Sequence, residues 1–186
     1  DLIPAARKLE GIDQAVMLRS KFTTPLEVLR APLESLRPLY DYIFLDTAPN
    51  ATLPTLAAYM NADYFILSAM PDPFAIAGLN DAVRDIIDAR TRGNVRLTLL
   101  GVVISDFVEK SFKGSESDES VKFRQSIGRS TVIPQTQKVG KTLFETHSTH
   151  KITDEYRKLA KEIEGRVEKL ETEAMSPRKG RKVANG

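Results

Sequence analysis

The chain has 186 residues with no cysteine, no tryptophan and two histidines, which excludes disulfides, zinc–thiolate and iron–sulfur centres, a cysteine nucleophile and a histidine-rich metal site. Hydrophobic residues at 41% and charged residues at 28% are ordinary for one globular domain with an appendage, and no apolar run reaches the ~20 residues of a membrane helix. The formal charge of +2 comes from the end of the chain: Arg178, Lys179, Arg181 and Lys182 stand there without an acid, and the rest carries 23 basic against 25 acidic residues, so any nucleic-acid contact by the body must come from a local patch.

In chain order, the pattern predicts helices around Ala5–Leu18 and Pro25–Leu36. Tyr42-Ile43-Phe44-Leu45 is continuously apolar and reads as a strand buried on both faces, stopped by the polar turn Asp46-Thr47-Ala48-Pro49-Asn50. A short helix follows over Thr52–Met60, then a second apolar strand at Tyr64–Leu67. Phe74–Arg90 reads as a helix with Ile76, Leu79, Val83, Ile86 and Ile87 on one face, capped by Asp72 and opened by Pro73. Leu97–Ile104 is a third strand with Gly101 inside it, Lys113–Ser120 a polar surface loop, and Thr131-Val132-Ile133 a short fourth strand. A weaker helix spans Lys138–Thr146. The last helix, from about Thr153 to Glu173, aligns Ile152, Tyr156, Leu159, Ile163, Val167 and Leu170; a stripe of only about three heptads argues for docking onto the body rather than a coiled coil. Strands alternating with helices predict an α/β fold, doubly wound, with a mostly parallel sheet and helices on both faces. Residues 1–172 form the body and 173–186 a basic, disordered tail.

Asp46 is the first candidate for chemistry. Ligands of open parallel sheets sit outside the carboxyl ends of the strands, and an acid placed there suits Mg2+. Three readings of the residue stand side by side: a Walker B-type carboxylate, a metal-bound phosphoacceptor as in receiver domains, or the first residue of a turn that caps the next helix. No G-x-x-x-x-G-K-[ST] or G-x-G-x-x-G stretch occurs in the 186 residues. Gly140-Lys141-Thr142 lacks the upstream glycine and does not directly follow a buried strand. His147 and His150 stand three apart without a third ligand, which reads as exposed polar surface.

Several segments taken together resemble the ParA/Soj partition ATPases, deviant Walker A P-loop NTPases. They are Asp1-Leu2-Ile3-Pro4-Ala5, Tyr40 to Pro49 with its Walker B-like Asp46, Phe74-Ala75-Ile76-Ala77-Gly78-Leu79, Leu99-Leu100-Gly101-Val102-Val103, Thr131-Val132-Ile133-Pro134 and Tyr156-Arg157-Lys158-Leu159-Ala160-Lys161-Glu162. The family's K-G-G-x-G-K-T loop, which precedes the first of these segments, is absent, so the resemblance implies the C-terminal portion of a longer ATPase.

The resemblance further implies a P-loop NTPase-like fold, ATP and Mg2+ as cofactors of the complete protein, an ATP-dependent homodimer, nonspecific DNA binding, a ParB-type partner protein, no membrane association and a cytoplasmic, nucleoid-associated location. Carried over residue by residue, Asp46 is the catalytic carboxylate near Mg2+. Pro134 and Gln135 line the adenine pocket, although the family carries Arg after that proline. Lys122, Arg124, Arg129, Lys138 and Lys141 are the candidate DNA contacts, which would neutralise phosphates without reading bases. The chain alone is expected not to turn over ATP. The alternative reading is a non-catalytic relative that binds DNA or a partner without the nucleotide loop.

Overall fold

The computed structural model describes residues 28–47, 52–70, 75–106 and 121–175, without the side chains of 75–80 and 82. The expected helix at Ala5–Leu18, the Asp72–Pro73 cap, the loop Lys113–Ser120 and residues 176–186 of the basic tail lie outside the described residues, while 173–175 end the last helix. The elements are α1 (Arg30–Leu36), α2 (Leu53–Asn61), β1 (Tyr64–Ala69), α3 (Ala75–Thr91), β2 (Thr98–Ile104), α4 (Val132–Lys138), α5 (Leu143–Thr146) and α6 (Lys151–Met175). Chain contacts group them into two compact units, one of residues 1–65 with 79–99, the other of 66–78 with 100–186.

β1 and β2 form a βαβ unit through α3. Their ladder is parallel: the Thr98 amide donates to the Asp63 carbonyl at 3.1 Å and the Ser105 amide to the Ala69 carbonyl at 2.8 Å. In the first unit α2 starts under its own cap, the Thr52 hydroxyl accepting from the Thr55 amide, with a proline in the first turn where no amide partner is needed. Its core is Ile86, Ala89 and Leu97, with Tyr59, Phe65 and Leu99 packed against them; Tyr59 meets Phe65 edge-on at 5.2 Å. Asn94 fastens the end of α2 by donating to the carbonyls of Tyr59 and Ala62 at 2.6 and 2.8 Å.

The strands at Tyr64 and Leu97 and the helices at Thr52, Phe74 and Thr153 stand where the sequence puts them. Four expectations are corrected. Tyr42–Leu45 is not a strand: the segment carries no regular secondary structure, and Phe44 is 75% exposed. An apolar run becomes a strand only in regular register with a neighbouring strand, which composition does not supply. Thr131–Ile133 is not a strand either. The Ser130 hydroxyl accepts from the Val132 amide at 3.2 Å and α4 begins there, with Pro134 tolerated in its first turn. The single helix expected over Lys138–Thr146 is two, because Gly140 turns left-handed (φ +64) after Lys138 and Thr142 starts α5 with a full capping box to Glu145. On α3 the apolar face divides: Ile86 is buried, whereas Val83 and Ile87 are exposed. Each residue turns the helix by about 100°, so a face centred between Ile86 and Ala89 leaves Val83 and Ile87 on its flank.

The other flank of α3 carries Asp81, Asp85 and Asp88. Asp85 lines a small cavity of about 100 Å³ with Leu56, Tyr59, Met60 and Arg92. Burial first, then the charges of Asp81 and Asp88, raise its carboxyl above the ordinary value; contact with the Tyr59 hydroxyl offsets only part of this. A carboxyl raised on folding destabilises the fold wherever it is ionised, and this penalty disappears below the unfolded value of 3.8. Asp85→Asn is therefore expected to raise the unfolding free energy at pH 7, by less than about 1 kcal/mol because the group is half exposed, and the melting temperature with it. The gain should vanish near pH 3, and an equal gain at both pH values in thermal unfolding would refute the charge argument.

Candidate functional site

In the second unit a third extended segment runs beside β2. The Val102 amide donates to the Val121 carbonyl at 3.0 Å, the Phe123 amide to the Val102 carbonyl at 2.9 Å and the Ile127 amide to the Ile104 carbonyl at 2.9 Å, with a parallel bridge at Lys122. Phe123 and Ile127 point into the core, at 1% and 4% exposure. This segment carries three predicted site residues, Lys122, Arg124 and Arg129.

The backbone groups on the far side of this segment are taken up by side chains of α6 instead of another strand. Glu162 accepts from the amides of Arg124 and Gln125 at 2.9 and 3.0 Å, and Glu155 from the amide of Gly128 at 2.8 Å. Arg166 donates to the carbonyls of Val121 and Lys122 at 3.2 and 2.6 Å, to that of Leu100 at 2.9 Å and to Glu162 at 3.1 Å. Its guanidinium lies 4.1 Å from the Phe123 ring centre. Burial alone would raise the Glu162 carboxyl, but the two amides and Arg166 outweigh it and hold the carboxyl below its ordinary value. The apolar stripe of α6 docks as expected, with Ile152, Leu159 and Val167 buried.

At the carboxyl end of β2, Asp106 adopts φ +58, a left-handed conformation that a short polar side chain tolerates. Arg129 grips it with a two-pronged fork, Nε to Oδ1 at 2.7 Å and Nη2 to Oδ2 at 2.6 Å. Hydrogen bonding from Arg129 lowers the Asp106 carboxyl, and the same contact raises the Arg129 guanidinium. Sequence reasoning singled out Arg129 but not its partner, and it missed Glu155, Glu162 and Arg166. The available signal was their position beside the buried stripe of α6.

The remaining predicted residues are exposed. Pro134 and Gln135 lie in α4, Lys138 at its last turn and Lys141 just past Gly140. The Lys141 amide donates back to the Thr136 carbonyl at 3.2 Å, which keeps this lysine against α4. Gly140-Lys141-Thr142 serves as a helix break and cap. His150 caps α6, its Nδ1 accepting from the Ile152 amide at 3.1 Å, and His147 meets it edge-on at 6.3 Å.

Asp46 is exposed at the end of the apolar Tyr42–Leu45 segment, in the first unit; the other predicted site residues all belong to the second. Among the described residues no group of three or more His, Asp or Glu side chains could hold a metal. Mg2+ commonly takes one or two carboxylates and fills its shell with phosphate oxygens and water. A lone exposed carboxylate at this position fits one such ligand and does not make a metal site by itself. Among the described residues no helix is long and apolar enough to cross a membrane.

The family model described as an AAA domain matches residues 1–99. A ParA family protein of Chlamydia pneumoniae is 27% identical over 176 residues, covering 88% of this chain and 66% of that protein. The sporulation initiation inhibitor protein Soj of Bacillus subtilis is 26% identical over 171 residues, with the same coverage of each chain. The chromosome-partitioning ATPase Soj of Thermus thermophilus is 24% identical over 136 residues, covering 69% and 55%. The chain thus spans about two thirds of the length of the first two relatives. Among solved structures, cobyrinic acid a,c-diamide synthase from Mycobacterium smegmatis superposes with a TM-score of 0.58 at 19% identity, over 86% of this chain and 60% of that one. The same enzyme with a bound ATP analog and magnesium gives 0.56 at 21% identity, over 69% and 53%. The fold is therefore α/β and P-loop NTPase-like, and the chain belongs to the AAA-domain family of P-loop NTPases, among its ParA/Soj-type members.

Proposed function

We propose that this chain is part of a ParA-like partition ATPase that dimerises with ATP, binds DNA without sequence preference and works with a ParB-type partner. The similarity to ParA and Soj proteins over 88% of the chain carries this reading. In it, Asp46 is the carboxylate that orients Mg2+ and the attacking water, and Pro134 and Gln135 stand against the adenine. Bound Mg–ATP would supply the transferable phosphoryl group. Lys122, Arg124, Lys138 and Lys141 face DNA phosphates, and Arg129, neutralised by Asp106, adds little charge of its own. The phosphate-binding loop is assigned to sequence beyond these 186 residues, because no loop of that spacing occurs within them.

Two measurements on the chain test this. Duplexes of unrelated sequence should bind with equal affinity, and the logarithm of that affinity should fall linearly with the logarithm of salt concentration. Titration calorimetry with Mg–ATP should show no saturable micromolar binding. Absence of DNA binding at low salt would overturn the DNA-binding role. Clear ATP binding would overturn the assignment of the cradle elsewhere and return attention to Gly140-Lys141-Thr142.

A further inference from the structure

The cations of the second unit differ in what already holds them. Arg129 is bound to Asp106, Lys158 to Asp154 at 2.7 Å, and Lys151 approaches Glu155 at 3.8 Å. Arg124, Lys138, Lys141, Arg157 and Lys161 make no ion pair among the described residues. Three acids of the same elements bond other groups directly: Glu145 in its capping box, Asp154 with Lys158, and Glu162 with two backbone amides and Arg166, although the charges of Lys141 on Glu145 and of Arg157 and Lys161 on Asp154 are still felt.

These five cations follow one path over the unit. Lys138 ends α4, and Lys141 is tied back to α4 by its amide. Phe144, the second residue of α5, is 51% exposed, and the Arg157 guanidinium lies 5.3 Å from its ring centre. That contact brings α6 against α5. Lys161 follows one turn after Arg157 on the same helix face. The next residue, Glu162, holds the Arg124 amide at 2.9 Å and so brings Arg124 alongside α6.

From this path we infer that the DNA-facing surface extends onto α6, with Arg157 and Lys161 as phosphate contacts and Phe144 as the platform that orients Arg157. The inference rests on the DNA-binding part of the proposed function and assigns it residues. An arginine laid over an aromatic ring gives up little hydration there and keeps its edge donors for a planar or tetrahedral anion, a geometry that lysine cannot supply. The strip is made of basic side chains on helices and on the segment beside β2, which suits contact with the phosphates of a duplex rather than the reading of bases.

Fluorescence anisotropy with a labelled mixed-sequence duplex, titrated across salt concentrations, tests the assignment. Each phosphate contact contributes about 0.9 to the slope of log affinity against log salt, so Arg157→Ala with Lys161→Ala should lower the slope by about 2. Lys169→Ala, further along α6 beside Glu173, should leave it unchanged. Phe144→Leu keeps every charge; it should weaken binding about two- to five-fold with the slope intact. Circular dichroism should show wild-type helix content in all variants, since the changed side chains are exposed or half exposed. If Lys138→Ala with Lys141→Ala lowers the slope but the α6 pair does not, the extension onto α6 is wrong and DNA binding stands. If Phe144→Leu binds like wild type, the platform role is wrong. If the wild-type chain binds no duplex at low salt, both the inference and the reading beneath it are overturned.

Discussion

Replacing Arg166 by alanine is expected to lower the unfolding free energy by about 3 kcal/mol, a fall of roughly 6–12 °C in melting temperature for a chain of this size. The side chain is 24% exposed and ties three backbone carbonyls to α6: those of Leu100 and Lys122, and that of Val121, which also accepts from the Val102 amide. Alanine leaves these acceptors facing a space that water fills only in part. It also uncovers the Phe123 ring, which is 1% exposed, and leaves Glu162 with two amides but without its countercharge. Arg166→Lys keeps the charge but lacks the fork, so its loss should be intermediate. Acid should reproduce part of the effect. The Glu162 carboxyl lies below its ordinary value of 4.5 in the folded chain, so its contribution is complete above that pH and is lost as pH falls through the folded value. Denaturant unfolding of Arg166→Ala and Arg166→Lys at pH 7 and pH 4 checks both statements. A melting temperature within 2 °C of wild type for Arg166→Ala would show that α6 docks through its apolar stripe alone.

How far the sequence discloses such a clamp depends on whether a property belongs to one segment or to a pair. Tyr64–Leu67, Leu97–Ile104 and the stripe of α6 are legible because their apolar periodicity is local and a partner is present for each. Tyr42–Leu45 has the same composition as those strands but is not one, and composition cannot tell the two situations apart. The segment from Val121 to Ile127 shows the reverse. It pairs with β2, yet Lys122, Arg124 and Gln125 interrupt any apolar run, and only the alternation of Val121 with Phe123 hints at a strand. In the candidate site, Arg129 was visible as a base, but its partner Asp106 lies 23 residues away across a ladder the sequence does not display. Glu162 and Arg166 look like an ordinary solvent pair at helical spacing. Only the docking of α6 turns them inward, so their role follows from tertiary structure. Asp46 stands at the end of its apolar segment, where the resemblance to the ParA/Soj family places it, and its role as a Mg2+ ligand belongs to the proposed function.

The same clamp makes a small substitution in β2 expensive. A Cβ added at Gly101 would stand 2.5 Å from Arg166 Nη1, 2.7 Å from Phe123 Cε2 and 2.9 Å from the Val121 carbonyl oxygen, all closer than real Cβ contacts come. Arg166 could swing away only by surrendering its bonds to Leu100 and Val121. Phe123 is packed in the core, and the Val121 carbonyl is backbone already bonded to the Val102 amide. No neighbour gives way cheaply, so Gly101→Ala should destabilise the chain by about 1–3 kcal/mol, although alanine is the better residue for an ordered backbone elsewhere. The glycine therefore serves close approach, and the cost depends on Arg166. Once Arg166 is alanine, the nearest clash is gone and Phe123 has room to shift. The double variant should lose less than the sum of the two single losses, with a coupling of about 1 kcal/mol. Strict additivity in a denaturant-unfolding cycle would mean that the Val121 carbonyl alone sets the limit at Gly101, and that Arg166 and this glycine stabilise the joint independently.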